Sequence, residues 1–145
     1  MITRHTGDFK WEDVSVLAYQ ETGTNFKSIT RQILFNGLGD LPCQLRYFEV
    51  QPDGYSSLEY HEHVHLVLIL RGKGEVFLGD SIHAINQNDV ITVPPNTWHQ
   101  FKASRGDHLG FLCLVNVERD KSKLPTDEDL QELRKNPEVA AFIRS

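Results

Sequence analysis

The stretch Glu59-Tyr60-His61-Glu62-His63-Val64-His65 decides how this sequence is interpreted, and the apolar run Leu66–Leu70 follows it directly. Successive side chains of an extended strand alternate between two faces, so a regular strand would present four polar groups on one face: Glu59, His61, His63 and His65. A carboxylate and three imidazoles are costly to bury unless something satisfies them, and a divalent metal does so. The alternative is an edge strand with a solvated polar face, but the two-sided apolar run that follows is not typical of a surface edge.

A second histidine-bearing stretch, Val90–Phe101, belongs to a different predicted strand. Two prolines fix a turn there, and His99 follows this turn between two aromatic residues. An isolated histidine in such a place is more often a hydrogen-bonded core residue than a ligand. Together with the first cluster, His99 becomes a candidate fourth ligand that a separate strand delivers.

Short strands rich in β-branched and aromatic residues recur at about 8–12-residue spacing, which is typical of an all-β sandwich or barrel. The predicted strands cover residues 14–19, 29–35, 44–50, 58–70, 75–78, 82–85, 90–93, 98–102 and 110–117. Gln51-Pro52-Asp53-Gly54 is expected to end the third strand, and Gly72-Lys73-Gly74 predicts a hairpin turn after the fourth. Near the C-terminus, Thr126 and the acidic residues after it predict a helix that Pro137 stops, with a short second helix over 138–143.

Length and composition limit the classes of protein to which the chain can belong. Its 145 residues are the size of one domain. Fifteen Lys and Arg against twenty Asp and Glu give a net charge of −5, which argues against a general binder of nucleic acids or anionic membranes. The chain has no apolar run near the ~18 residues of a membrane helix and no apolar signal core, so secretion is not indicated. Cys43 and Cys113 form no CxxC motif, and we expect them to be reduced thiols in the cytoplasm.

The first histidine stretch resembles the first motif of the cupin superfamily, which has two histidines, a glutamate and a closing glycine at fixed spacing. His61 matches the second histidine, and Gly72 matches the closing glycine. Glu59 stands in the first histidine position, and His65 stands in the glutamate position. Asp53, beside a glycine, holds the position of the opening glycine.

The second stretch resembles the second cupin motif, and the two motifs together cover residues 53–102. Pro94 and His99 match the proline and the histidine of this motif. Asn88 and Asn96 stand where the family has glycine. Asparagine is the non-glycine residue that best tolerates a left-handed backbone, so these departures are physically mild.

The resemblance implies an all-β fold, an antiparallel double-stranded β-helix or jelly-roll barrel with a short C-terminal helical tail. Within one domain, it implies N-terminal strands and a dimer segment over residues 1–40, the barrel core over 41–118 and the tail over 119–145. It also implies a homodimer that binds a small-molecule ligand or substrate. From the net charge we expect no nucleic-acid or membrane partner.

The usual cupin ligand set is three histidines and one glutamate, and this sequence has the same inventory with two positions exchanged. The resemblance therefore implies one divalent transition metal (Mn, Fe, Ni, Zn or Cu) with four ligands: Glu59, His61, His65 and His99. Glu59 could instead act outside the ligand set, as a hydrogen-bond acceptor or as a general base beside a three-histidine metal. His63 is the competing ligand, although the motif spacing predicts a bend at 62–64 that turns it outward or toward the rim.

The implied function is a metal-dependent enzyme acting on a small polar molecule, as an oxygenase, isomerase or lyase, because such a metal keeps open positions. Segments 29–32, 41–50 and 109–116 look like small bacterial cupins, one of which is implicated in cleaving a methylthio group from a pentulose phosphate during sulfur salvage. The candidate catalytic residues are Glu59 as a proton acceptor and Cys113 as a thiol, with a buried hydrophobe as the alternative role of Cys113. The alternative function is a non-catalytic binding or sensor cupin with a structural metal or none.

Three further polar residues lie on predicted strands before the first motif: Arg31, Arg46 and Tyr47. Each could bind a hydroxyl, carboxylate or phosphate of a substrate, although packing and surface roles are more common for such residues. Cys43 is interpreted as a structural residue.

Overall fold

The computed structural model describes residues 1–20 and 23–145, which form ten strands followed by two helices. The strands are β1 (His5–Gly7), β2 (Lys10–Trp11), β3 (Leu17–Ala18), β4 (Lys27–Leu38), β5 (Leu41–Tyr55), β6 (His65–Leu78), β7 (Ser81–Asn86), β8 (Val90–Val93), β9 (His99–Ala103) and β10 (Leu109–Asn116). The helices are α1 (Asp127–Leu133) and α2 (Pro137–Phe142). Neither helix in this part of the chain has the length and apolar character needed to cross a membrane.

Strands β3 to β10 form one eight-stranded sheet that closes on itself, while β1 and β2 form a separate pair. Strand β10 pairs antiparallel with both β5 and β6, and β9 also pairs with both of these strands. These pairings make a closed ring, so the predicted all-β barrel is confirmed. Its interior is filled by apolar side chains, among them Val50, Val67, Ile69 and Leu109, which are fully buried.

Strand β6 differs from the hairpin predicted at Gly72-Lys73-Gly74. It runs through these residues as one strand, so Lys73 is not at a hairpin tip. Gly72 adopts a φ of +69°, and a Cβ atom there would lie 1.8 Å from the carbonyl oxygen of His108. The glycine therefore permits a close approach of two backbones where β6 exchanges its partners β10 and β8 for β9 and β7.

Two other strands depart from their predicted lengths. Strand β5 continues through Pro52 to Tyr55, because Asp53 adopts a φ of +64° and so absorbs the local break in the extended backbone. Of the strand predicted over 14–19, Leu17–Ala18 alone pairs with β4. On β6 itself, the predicted start at residue 58 is wrong, since the strand begins at His65 and Glu59 and Tyr60 form isolated bridges before it. The other predicted strands agree with the structure to within a few residues at each end.

The positions that replace motif glycines keep the backbone conformation that glycine favours. Asp53, Asn88 and Asn96 all have positive φ, at +64°, +75° and +54°. Asparagine and aspartate tolerate this left-handed region better than other residues with a side chain. The turns around the second motif are therefore retained despite the substitutions.

Both predicted C-terminal helices are present, and the second packs on the barrel. Thr126 caps α1 through its side chain, whereas Pro137 opens α2. The α2 residue Phe142 is buried in a second core cluster with Leu58 and Phe77. The buried Gln100 side chain fixes the chain end, since its Nε2 donates to the carbonyl oxygens of Ser56 and Arg144 at 2.8 and 2.7 Å.

Candidate active site

Three histidines from two distant segments converge inside the barrel: His61, His65 and His99. Each offers a ring nitrogen within 4.8 Å of those of the other two. His65 begins β6 and His99 begins β9, while a backbone bridge between Glu59 and His99 brings the two segments together. His61 and His99 are 0% and 3% exposed, so the cluster is largely removed from solvent.

Two of these rings are oriented by backbone carbonyl groups. The Nδ1 atom of His61 lies 2.8 Å from the carbonyl oxygen of His63, and Nδ1 of His99 lies 2.9 Å from that of Thr97. A carbonyl oxygen only accepts, so each neutral ring carries its proton on Nδ1 and presents a lone pair on Nε2. Both Nε2 atoms are buried and have no hydrogen-bond partner among the described residues. A divalent transition metal satisfies such atoms, so the residues present fit the predicted ion.

Burial keeps these imidazoles in the form that binds metals. Loss of hydration lowers the pKa of His61 and of His99 to about 4, and it lowers the pKa of His65 as well. For His61 and His65 the neighbouring histidines add to this effect, because like charges repel. A neutral imidazole is a metal ligand, so the cluster could bind a metal at neutral pH without first losing protons.

Glu59 lies beside this cluster and is 7% exposed. Its Oε1 atom is 3.8 Å from Nε2 of His99, and its Oε2 atom accepts a hydrogen bond from the Ser57 hydroxyl at 2.6 Å. The backbone bridge between Glu59 and His99 holds these two residues side by side. The carboxylate therefore has one oxygen near the histidine nitrogens and one held by a serine, and its role as fourth ligand stays a prediction.

His63 does not point outward, so that part of the expectation is wrong. The chain does bend at residues 62 and 63, but the His63 ring stacks on His61 with ring centres 3.7 Å apart. Its Nε2 atom lies 3.2 Å from Nε2 of His65. Asp120 supports this arrangement, because its Oδ1 accepts from Nδ1 of His63 at 2.7 Å. Carboxylate–histidine pairs commonly support metal ligands, so His63 remains a competing ligand.

A cavity of about 620 Å³ joins the histidine cluster to Cys113 on β10. This volume is in the range of small-molecule sites. Cys113 is 1% exposed, and Nη2 of Arg46 donates a hydrogen bond to its Sγ at 3.3 Å. Burial raises the pKa of the Cys113 thiol, and the Arg46 guanidinium acts in the opposite direction. The cavity thus combines a candidate metal centre with a thiol whose sulfur contacts a cation, which is an arrangement suited to nucleophilic chemistry.

Strand alternation decides which of the early polar residues reach this cavity. Arg31 and Arg46 line it, whereas Tyr47 faces the other side of β5. There Tyr47 stacks on Phe9 with ring centres 5.6 Å apart, and its hydroxyl donates to Glu49. Tyr47 is therefore a packing residue under the N-terminal strand pair.

Sequence reasoning missed other polar residues that line the cavity: Gln44, Ser56, Arg119 and Asp120. The signal for Arg119 and Asp120 was a charged segment directly after the last strand. Nothing in the local pattern relates that segment to histidines more than fifty residues away, because Asp120 is separated from His63 by 57 positions.

Comparisons with known proteins give relatives of the same architecture. The family model described as a cupin domain matches residues 46–115. A protein of Rhodospirillum rubrum named 1-methylthio-D-xylulose 5-phosphate methylsulfurylase is 50% identical over 136 residues, which cover 93% of this chain and 86% of that protein.

Two solved structures cover nearly the whole chain. The crystal structure of a cupin 2 conserved barrel domain protein from Rhodopseudomonas palustris has 47% sequence identity and a TM-score of 0.94, with all of both chains covered. A cupin-2 domain protein from Rhodospirillum rubrum also has 47% identity, with a TM-score of 0.87 over 97% of this chain and 95% of that one.

Proposed function

The chain belongs to the cupin family, and from that premise we propose that it is a metal-dependent enzyme that removes the methylthio group from a methylthio-pentulose phosphate. The name of the Rhodospirillum rubrum relative, at 50% identity, supports this substrate class. The observation that carries the proposal is the position of Cys113, whose thiol shares one cavity with the histidine cluster. A thiol is a strong nucleophile toward sulfur, so its place beside the activated substrate suits the transfer of a methylthio group.

In this proposal, His61, His65 and His99 hold the divalent metal. Glu59 completes the ligand set or accepts a proton, and His63 is the competing ligand. When bound, the metal supplies Lewis acidity toward the carbonyl oxygen of the sugar. The carbonyl oxygens on the Nδ1 atoms of His61 and His99 keep these rings in one orientation.

The thiolate of Cys113 attacks the sulfur of the methylthio group. A sulfur–sulfur bond forms, the bond from that sulfur to the sugar carbon breaks, and its electron pair stays on the carbon next to the carbonyl group. A proton from solvent then takes the place of the methylthio group on this carbon. A second, free thiol removes the methylthio group from Cys113 by thiol–disulfide exchange. Arg46 stabilises the thiolate, because its guanidinium donates directly to Sγ.

Incubation of the metal-loaded protein with 1-methylthio-D-xylulose 5-phosphate and a free thiol tests this function. We expect a deoxypentulose phosphate and the methyl disulfide of the thiol, both detected by mass spectrometry. Without the free thiol, Cys113 should gain the mass of one methylthio group. Cys113→Ser should abolish both results, and Cys43→Ser, at the other free cysteine, should abolish neither.

Two results would contradict the proposal. Turnover by Cys113→Ser at the wild-type rate would refute the thiol step. Metal and ligand binding without any turnover would instead favour the non-catalytic binding or sensor role.

We also propose that the chain acts as a homodimer in the cytoplasm. Both cysteines are free thiols, which suits a reducing compartment. Leu38 and Leu41, at the ends of β4 and β5, are 64% and 55% exposed, and a partner chain would cover such apolar side chains. Sedimentation at micromolar concentration tests the dimer, and a species of monomer mass would refute it.

A further inference from the structure

Apart from the histidines and Cys113, the side chains that line the cavity carry a net positive charge. Its charged lining consists of Arg31, Arg46, Arg119, Lys121, Glu59 and Asp120. Four cations against two carboxylates leave +2 before any metal binds, in a chain whose net charge is −5. A concave site with so strong a local excess of one sign attracts ligands of the opposite sign.

Strand register brings three of these cations to one wall. Arg31 on β4 is paired with Phe48 on β5, and Arg46 lies two residues before Phe48 on the same face. Arg119 follows β10, the strand on the other side of β5. Its Nη2 atom donates to Oε1 of Gln44 at 3.1 Å, two residues before Arg46 on that same face.

No carboxylate lies within 4.0 Å of these three guanidinium groups among residues 1–20 and 23–145. They donate instead to uncharged acceptors: backbone carbonyl groups, the Gln44 amide and the Cys113 sulfur. Arg46 is 8% exposed, and its Nε atom has no acceptor in this part of the chain. A buried guanidinium N–H without an acceptor is costly, so the wall is built to receive an acceptor from a ligand.

We propose that Arg31, Arg46 and Arg119 form the subsite that binds the phosphate group of the sugar substrate. The identity of the sugar rests on the proposed function, whereas the subsite itself requires only a monophosphate ester. The planar guanidinium group keeps its charge and matches phosphate oxygens in a bidentate way. Burial and then the charges of Arg46 and Arg31 lower the pKa of Arg119, so the three groups are close enough to repel one another, and a phosphate dianion relieves this repulsion.

Of the three arginines, Arg46 alone donates a hydrogen bond to the Cys113 sulfur among the described contacts. A thiolate at Cys113 offsets one positive charge at most. Arg31 and Arg119 make no hydrogen bond to this sulfur among the described contacts. They are therefore the positions at which phosphate binding can be tested without removing a hydrogen bond to the thiol, although the charge of Arg119 also lowers the pKa of Cys113.

Calorimetric titration of the metal-loaded protein compares D-xylulose 5-phosphate with D-xylulose, two sugars that differ only in the phosphate. The wild-type protein should bind the phosphorylated sugar more tightly. Arg31→Gln and Arg119→Gln should each weaken that binding by about 10- to 100-fold, the range for a hydrogen bond to a charged group. Binding of D-xylulose should stay within about twofold. Arg105→Gln, at an exposed turn residue outside the cavity, is the matched control and should change neither affinity.

Wild-type affinity for D-xylulose 5-phosphate in both Arg31→Gln and Arg119→Gln would overturn this inference. An equal loss of affinity for both sugars would also overturn it, because the arginines would then shape the cavity and not bind the phosphate. Circular dichroism confirms that each variant is folded before it is titrated. Turnover of the methylthio substrate is measured separately, so phosphate binding without turnover would refute the proposed function and leave the subsite standing.

Discussion

Substitution of His61 by alanine should remove most of the stabilisation that a bound metal gives the folded protein. The Nε2 atoms of His61 and His99 are buried without a partner among the described residues. An ion that binds them binds the folded chain and not the unfolded one, which adds about 2.7 kcal/mol at a free concentration 100 times Kd. The unfolding entropy of a 145-residue chain is roughly 0.3 kcal/mol/K, so the wild-type Tm should rise by about 9 °C.

His61→Ala should gain less than about 2 °C at the same metal concentration, because one of the two oriented nitrogens is gone. Without metal, its Tm should stay close to that of the wild type. The packing lost with the ring is offset by removal of an unpaired buried nitrogen, which costs about 1–3 kcal/mol. His83→Ala is the matched control, since His83 is exposed on β7 and should leave the metal-dependent gain intact.

The assay is a thermal melt after treatment with a chelator, repeated after reloading with Mn, Fe, Ni, Zn or Cu at equal excess. Elemental analysis of the reloaded samples shows which ion stays bound. A full metal-dependent gain in His61→Ala would refute the assignment of this nitrogen. A wild-type gain below about 2 °C with every one of these ions would refute the metal centre itself.

Other contacts give three more expected outcomes. Asp120→Asn should weaken metal binding in equilibrium dialysis by about 10- to 100-fold, because this carboxylate holds the His63 ring; unchanged affinity would remove His63 from the centre. Phe142→Ala should lower the free energy of unfolding in urea by about 3–5 kcal/mol, because the ring is buried in the second core cluster; a loss below about 1 kcal/mol would contradict the packing of α2. Iodoacetamide should modify Cys43 faster than Cys113 at neutral pH. Modification of Cys113 should accelerate as the pH rises, because burial raises the pKa of its thiol and keeps the thiolate scarce; equal rates in peptide mass spectrometry would contradict this.

The barrel could be predicted from sequence because its signals are local. Turn residues at regular intervals separate strands of the right composition, and the spacing within each motif does not depend on distant residues. Asn88 and Asn96 illustrate this, because a single-residue preference for positive φ was enough to predict that the turns would survive. The histidine cluster and its Pro-flanked partner His99 suggested a shared metal site from the residues alone, and the resemblance to a known motif pair then specified His61 and His65 as its partners.

The rest depended on tertiary context. The glycines at 72 and 74 have the composition of a hairpin turn, and only the approach of the His108 carbonyl reveals that Gly72 serves a continuous strand. Likewise, the bend at residues 62 and 63 is visible in the motif spacing, but its effect on His63 is set by Asp120, 57 positions away. A pattern in sequence gives the face of a strand, and long-range partners decide where an irregular segment points.

The register across the barrel explains why reactive groups collect at one end of the cavity. Phe48 on β5 is opposite Phe111 on β10, and two residues along each strand Arg46 is opposite Cys113. On the same face of the sheet, an aromatic pair with ring centres 5.4 Å apart is thus followed, two residues along, by a pair made of a cation and a thiol. The aromatic level fills the barrel and fixes both strands, so the next level is held on rigid backbone and not on a loop. A substitution of Phe111 by a smaller residue should therefore loosen the contact between Arg46 and Cys113 without removing any group that takes part in the proposed chemistry.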